Sequence, residues 1–425
     1  MSLKKGKPNK VLGGIMVGLL ICPPLWANQN LTWVDCLQKA SEYHPDLITA
    51  KEGIRQSRDA HVITSSSLWP HAQADLSVTQ NQASGSGKST SYAYGVSGSQ
   101  LLFDSFKTTN NIQASNQDIK ASQANFQYVS SLVRLRLRTA FINLLKAQEL
   151  IKLTKQIYEI RKQSLALITK FYNSGMEHKG ALLTTQANLA ESEFEMHQAI
   201  RELEVAQRNL LKEIGAKTIE PIEIEGSFDV GGKYQQSPDF EMVVNTNPQL
   251  LQLMAQRNAA SFNVKSDQSD FWPSVSLTGG VGKSAEHWPP SVVGANVGLG
   301  LSWPLLEGGA RTAQLDKDKS ILRGLDAQVQ SLKDSLVLNL EQSWTGLQDA
   351  MEQLDVQKKF LMADEERAKI AEKQYSVGLL SYDNWIIIED NLVNSKKTFL
   401  NTQANALLAE ANWIAAQGRT LEYAH

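Results

Sequence analysis

Cysteine is almost missing from this chain. Of its two, Cys22 and Cys36, the first falls in a leader-like segment, so the exported remainder offers Cys36 no partner and has no intrachain disulfide. Stability then has to come from packing or from assembly. An excess of positive charge is missing too: 42 basic against 44 acidic residues give a formal charge of -2, which excludes the electrostatic footprint of a nucleic-acid-binding protein. Beyond residue 27 no apolar run of about 18 residues occurs, so no transmembrane helix is available and only strands could cross a bilayer.

Motifs for chemistry are equally sparse. The seven histidines are scattered, with no His-x-x-x-His pair and no Cys/His cluster, so no metal site is expected. Gly87-Lys88-Ser89 and Gly282-Lys283-Ser284 look like the end of a phosphate loop, but Gln82 and Leu277 stand where its first glycine belongs. No Gly-x-Ser-x-Gly elbow is found. Neither a catalytic residue nor a cofactor is predicted, and the chain reads as no enzyme.

What is present begins with a secretory layout. Lys4, Lys5, Lys7 and Lys10 precede an apolar run from Val11 to Ile21 and a small residue at Ala27, so residues 1–27 read as a signal peptide. Its removal takes four lysines and no acid, and lowers the formal charge from -2 by four, to -6. Lipidation at Cys22 is the less favoured alternative, because Ile21 precedes it and Pro23-Pro24 follow.

The dominant feature is a gap-free internal repeat at the 203-residue separation of Pro45 from Pro248. Trp69-Pro70 matches Trp272-Pro273, Gly95 matches Gly298, and Ser99 matches Ser302. Tyr172 matches Tyr375, Gly175 matches Gly378, and Gly215 matches Gly418. Helix breakers and turn glycines kept in one register predict two copies of one structural unit, residues 28–222 and 223–425. Each copy reads as helix, β-hairpin, long helix and return helix.

The hairpins are predicted at about 71–103 and 274–304. Ala72, Ala74, Leu76 and Val78 alternate with polar residues, and after the Ser84–Ser89 turn Tyr92, Tyr94 and Val96 do the same. In the second hairpin Val275, Leu277, Val297, Leu299 and Leu301 take the apolar parity, against Ser, Thr, Asn and Gly. Lipid outside and water inside fit this pattern. A soluble sheet on a core fits the alternation as well; export and the small polar inner face favour lipid.

Two proline-free segments, about 107–171 and 310–374, carry apolar residues at spacings of three and four. Phe126, Val129, Val133, Leu137, Phe141, Leu144 and Ile151 form one seam, and Val329, Leu332, Leu336, Leu340, Trp344, Leu347 and Leu354 the other. At about 1.5 Å per residue each helix would reach on the order of 100 Å. The segment from Trp33 to about Ser67 reads as a single helix before the first hairpin. Four strands cannot close their own edges in a bilayer, and closed barrels begin at about eight. Two, three or four copies would supply enough strands.

These elements in this order resemble the outer membrane efflux protein family, the TolC-like outer membrane factors. The resemblance spans essentially the mature chain. It is carried by the paired Trp-Pro, by Leu31-Thr32-Trp33 to His44-Pro45, by Thr246-Asn247-Pro248, by Leu305-Leu306-Glu307-Gly308-Gly309 and by Tyr375-Ser376-Val377-Gly378. It implies an α+β membrane protein: a homotrimer whose outer membrane β-barrel, four strands per protomer, continues as a long periplasmic α-helical coiled-coil barrel. It also implies an exit duct for small molecules, served by an inner membrane transporter through a periplasmic adaptor, with the outer membrane of a Gram-negative bacterium as its place. A type I protein secretion duct is the alternative cargo class, and a non-conducting periplasmic scaffold the alternative of another kind.

Carried over by position, adaptor contact falls on Ser174, Gly175 and Met176 and on Val377, Gly378 and Leu379. The tunnel constriction falls on Leu380, Asp383, Asn384 and Ile387. The family's best-known member places acids six and nine positions after the second tip glycine, and an arginine two after it; here Asn384, Ile387 and Leu380 stand there. Of the nearest acids, Asp383, Glu389 and Asp390, only Asp383 is a candidate for an acidic ring. Glu177-His178-Lys179 reads as a solvated turn.

Overall fold

The computed structural model describes residues 30–82, 88–218, 220–230 and 237–422. The leader with Cys22 and most of the Ser84–Ser89 turn lie outside the described residues.

The chain opens with a two-residue strand β1 (Asn30–Leu31) and helix α1 (Trp33–Tyr43), capped by Thr32 and Asp35 in a reciprocal box. The single helix expected from Trp33 to about Ser67 is instead two. His44 sits at φ -67°, ψ 124°, and α2 (Pro45–Ser66) starts afresh behind it. Proline drives the preceding residue out of the helical region and suits the first helical position, where no donor is needed. The His44 ring caps the new helix by accepting from the Asp46 amide at 3.1 Å.

Strands β2 (His71–Asn81) and β3 (Ser89–Phe103) follow, then α3 (Lys107–Asn173) and α4 (Lys179–Glu213). Two short elements then appear that no pattern signalled: β4 (Glu223–Ile224), pairing in parallel with β1, and α5 (Phe240–Val244). Helix α6 (Pro248–Ser269), strands β5 (Ser274–Ala285) and β6 (Val292–Ser302), and helices α7 (Ala310–Ser376) and α8 (Tyr382–Ala416) complete the chain. Helices α2 and α6 both have 22 residues, α3 and α7 both 67, and α4 and α8 both 35. A helix of 67 residues reaches about 100 Å.

The four longer strands form one antiparallel sheet in the order β2-β3-β5-β6. Ala74, Val96, Val281 and Ala295 pair across all four strands, Leu76 pairs with Tyr94, Val78 with Tyr92, Leu277 with Leu299 and Val275 with Leu301. Directly paired residues share a face. The predicted apolar parity is therefore one continuous surface, while Gln73, Ser97, Gly280 and Asn296 run across the other. Val297, at 84% exposure, and Leu299, at 70%, show that no helix covers the apolar face.

Helix α3 is the spine. It packs against α4, α6, α2 and α8, and α7 packs against α6 and α8. Along the half nearer the sheet the wall runs α2-α3-α6-α7; along the far half it runs α4-α3-α8-α7. Helix α3 consequently buries 21 residues and α7 only six, because α7 stands at the edge of both rows. Val133, Leu137, Phe141 and Leu144 are buried with Cys36, Leu31 and Ile224 in one core. Leu336, Leu340, Trp344 and Leu347 are buried with Trp413 and Leu250 in another. Trp344 meets Trp413 edge to face at 5.2 Å, so it is a core residue.

Gly215, which ends α4 at φ 73°, is held more tightly than the tip glycines. A Cβ there would lie 2.4 Å from the Tyr43 carbonyl oxygen, whereas nothing stands within 4 Å of one at Gly175 or Gly378. Gly215→Ala should cost about 2–4 kcal/mol, from a backbone clash added to the left-handed penalty, and Gly378→Ala about 1 kcal/mol from that penalty alone. Thermal unfolding of the two variants side by side measures the difference.

Candidate functional site

The end of the rod away from the sheet is built from two matching turns. Gly175 and Gly378 take φ 76° and 78°. In the first turn the Met176 amide donates to the Phe171 carbonyl at 2.9 Å and the Gly175 amide to Tyr172 at 3.0 Å. In the second, Leu379 donates to Gln374 and Gly378 to Tyr375 at the same two distances. This pattern satisfies the last carbonyls of a helix and requires a left-handed residue, hence glycine. Its by-product is that Met176, Val377 and Leu379 stand out into solvent, Leu379 with 79% of its surface free. Ser174 caps the first turn from its side chain, donating to Phe171.

Beneath the turns lies a small shared core of Ile168, Ala181, Ala371, Tyr375, Tyr382, Trp385 and Ile386. The Tyr375 ring stacks on Trp385 at 4.6 Å, nearly parallel. Its hydroxyl donates to Glu177 Oε1 at 3.1 Å, and the Tyr382 and Thr185 hydroxyls are 2.9 Å apart. The His178 ring accepts from the Ala181 amide at 3.1 Å and so caps α4. Glu177-His178-Lys179 is largely exposed, as a solvated turn would be, but the Glu177 side chain also joins the two hairpins and the His178 ring starts a helix. Sequence separations of 197 and 198 residues hid these pairings.

Further up, Arg161 of α3 meets α8. One nitrogen donates to Asp390 Oδ1 at 2.5 Å, and another lies 3.5 Å from Glu389 Oε1. The Arg161 and Glu389 side chains are only 8% and 7% exposed. Ser164 donates to Glu389 at 2.8 Å, while Glu389 Oε2 and Arg161 Nη1 make no hydrogen bond. Burial pushes the Glu389 carboxyl above its ordinary range, opposed by Arg161 and Ser164. The stability linked to this group is thus present below the usual glutamate pKa and lost as pH rises through the shifted one. Arg161 and Ser164 carried no sequence signal, since only the fold brings them to α8.

Of the expected constriction residues, Asp383, Asn384 and Ile387 share one exposed side of α8, and Leu380 is half-buried on the tip core. Glu389 and Asp390 are engaged by Arg161, so Asp383 is the acid left facing outward near the turn. Among the described residues no group of His, Cys, Asp or Glu is placed to hold a metal ion, and no helix is long and apolar enough to cross a membrane. What the tip presents is a protruding aliphatic surface of Met176, Val377 and Leu379 above a small packed core.

The sequence matches the outer membrane efflux protein family over residues 36–216 and 241–422. The chain belongs to that family. It is 20% identical over 409 residues to the outer membrane efflux protein BepC of Brucella suis, an alignment covering 93% of this chain and 82% of that protein. It is 22% identical over 344 residues to the outer membrane protein TolC of Escherichia coli, covering 75% and 68%. Its fold is shared with a crystal structure of CusC, at a TM-score of 0.83 and 17% identity, over 92% of this chain and 94% of that one. Membership makes this outer membrane efflux protein a transport protein of the outer membrane, consistent with an apolar sheet face that the protomer itself leaves bare.

Breaking a buried ion pair from one side leaves an uncompensated charge, while replacing both partners removes it. Arg161→Met should therefore loosen α8 from α3 by about 3–5 kcal/mol, and adding Glu389→Leu should restore most of that loss. Hydrogen exchange across residues 382–395 measures both. Glu389→Gln alone should flatten the decline in tip stability that the wild type shows as the pH is raised above the usual glutamate pKa.

Proposed function

We propose that identical copies of this chain close into a passive outer membrane exit duct, whose β-barrel takes up the bare sheet and whose helices form a tunnel ending at the tip. The observation that carries this reading is that each layer of the protomer is an open arc ending on the same two sides. The sheet ends in β2 and β6, the near helical row in α2 and α7, and the far row in α4 and α7. One side belongs to the first half of the chain and the other to the second, as in tandem repeats 28–222 and 223–425. Joining one side to the other is a head-to-tail contact, and such contacts generate rings.

The free sides carry matching apolar surface. On α4, Leu183, Phe194 and Val205 are exposed at steps of eleven residues, three helical turns apart. On α7, Val356 and Phe360 are exposed one turn apart, with Ile321 and Leu338 nearer the sheet. Three copies would supply twelve strands, with Tyr92, Tyr94, Val96, Val275, Leu277, Val297, Leu299 and Leu301 toward lipid. Three is the number the family resemblance implies.

In this reading a periplasmic adaptor seats on Ser174, Gly175 and Met176 and on Val377, Gly378 and Leu379. The constriction is formed by Leu380, Asp383, Asn384 and Ile387. The duct performs no chemistry; an inner membrane transporter supplies the energy and small molecules are the cargo.

Two measurements test this. A photo-crosslinker at position 379 in living cells should capture the adaptor of a proton-driven pump; an adaptor from an ATP-driven secretion system would reassign the cargo to protein, and no capture during active transport would remove the tip from the contact. Leu299→Arg should lower the yield of assembled protein in the membrane, since a cation toward lipid at mid-bilayer costs about 2–4 kcal/mol per copy. Undiminished assembly would mean that the apolar face looks inward.

A further inference from the structure

Helix α8 turns its charges sideways and its amides outward. Asn384, Asn391, Thr398, Asn405 and Asn412 recur every seven residues, are all exposed, and form one row along the helix. Asn394 and Asn401 widen it. Apart from Asp383 at the tip, no exposed residue of α8 is charged. Charge is not scarce in this helix: Asp390 meets Arg161, Lys396 meets Glu365, Lys397 meets Glu195 and Glu410 meets Arg138. Each is directed at a neighbouring helix.

A helix face in open water is ordinarily charged. Helix α4, of the same length, keeps Glu193, Arg201, Glu204 and Arg208 exposed. The two helices therefore face different surroundings. Since α8 stands between α3 and α7, its exposed face is also not a side at which copies would join.

Three further observations say which way that face looks. The row ends in a groove where α3, α6, α7 and α8 meet, lined by Asn412 with Asn339, Gln342 and Ser343 of α7, and none of the lining residues is charged. Ala404, Leu407 and Ala411, which a step of about 100° per residue turns away from the row, pack instead under Phe228 and Val230 of the crossing segment. Near the tip, the groove behind α8 is lined by Glu365, Lys369 and Glu372. Charge thus lies to either side of the row, in the groove behind α8 and in one that Asn394 lines with Arg161, Glu191, Glu195, Asp390 and Lys397, while the row itself and the groove at its Asn412 end are neutral.

We propose that the amide row of α8 is the inner wall of the duct, a neutral hydrogen-bonding track that passes organic solutes of either sign or none and is not tuned to a metal cation. This rests on the duct reading above. Asparagine both donates and accepts, so it replaces the hydrogen bonds of water around a passing solute without preferring a charge. Rings of like charge would select one sign, and an apolar lining would gate by dewetting. In this row only Asp383 and Ile387 bring those properties, and both sit at the narrow end.

The test is the reversal potential of the purified full-length protein in planar bilayers under a potassium chloride gradient. Wild type should show weak selectivity. Asn391→Asp should raise the ratio of cation to anion permeability by about threefold or more, because every copy adds a charge to one ring. Asn405→Lys should shift the potential the other way, and Ser237→Asp, on the exposed segment before α5, should leave it unchanged. Current with the same reversal potential in both asparagine variants would overturn the track and leave the duct standing. A wild type already strongly cation-selective would overturn it as well, and absence of current from folded wild-type protein would overturn both.

Discussion

The structure depends on unpaired edges. A strand at the edge of a sheet exposes amides and carbonyls that must find partners, and in hydrocarbon water cannot supply them. Here β2 and β6 are such edges, and the helical rows end on the same two sides as the sheet. A chain built in this way ends, in sheet and helices alike, on two open sides. A bare apolar sheet face, exposed apolar stripes on α4 and α7 and, among the described residues, no disulfide leave this chain with surface that its own packing does not cover.

Length imposes the second constraint. A helix of 67 residues touching its neighbours along a narrow seam gains little from any single turn, so its ends have to be held. At the end of α4, Gly215 sits where only glycine avoids the Tyr43 backbone, and β1 pairs with β4. At the tip the two hairpins are tied by aromatic stacking, hydroxyl hydrogen bonds and one buried ion pair. That pair is incompletely satisfied, with Glu389 Oε2 and Arg161 Nη1 lacking hydrogen-bond partners. The tip is thus joined by a few specific contacts between residues far apart in sequence rather than by a continuous core.

Much of this was legible in the sequence because its patterns are local. Alternation around Leu277 and Leu299 marked both strands and their common face, and the pairing register bears this out. Spacings of three and four marked the seams through Leu137 and Leu340, both fully buried. Positive-φ glycines marked the turns. The break at His44 was hidden although Pro45 was in plain view, because helical periodicity continues across it. The β1-β4 bridge was hidden because two residues form no pattern.

Sequence by itself determined the longer elements, their order, the faces of strands and helices and the turns, since each depends on residues within a few positions of one another. Tertiary structure decided what those faces meet. Arg161 reaches α8 across 229 residues, Glu177 serves a tyrosine hydroxyl 198 residues on, and the charges of α8 are taken up by neighbouring helices while its asparagines stay exposed. Such pairings follow from how long helices lie against one another, and that geometry is set only when the whole chain packs.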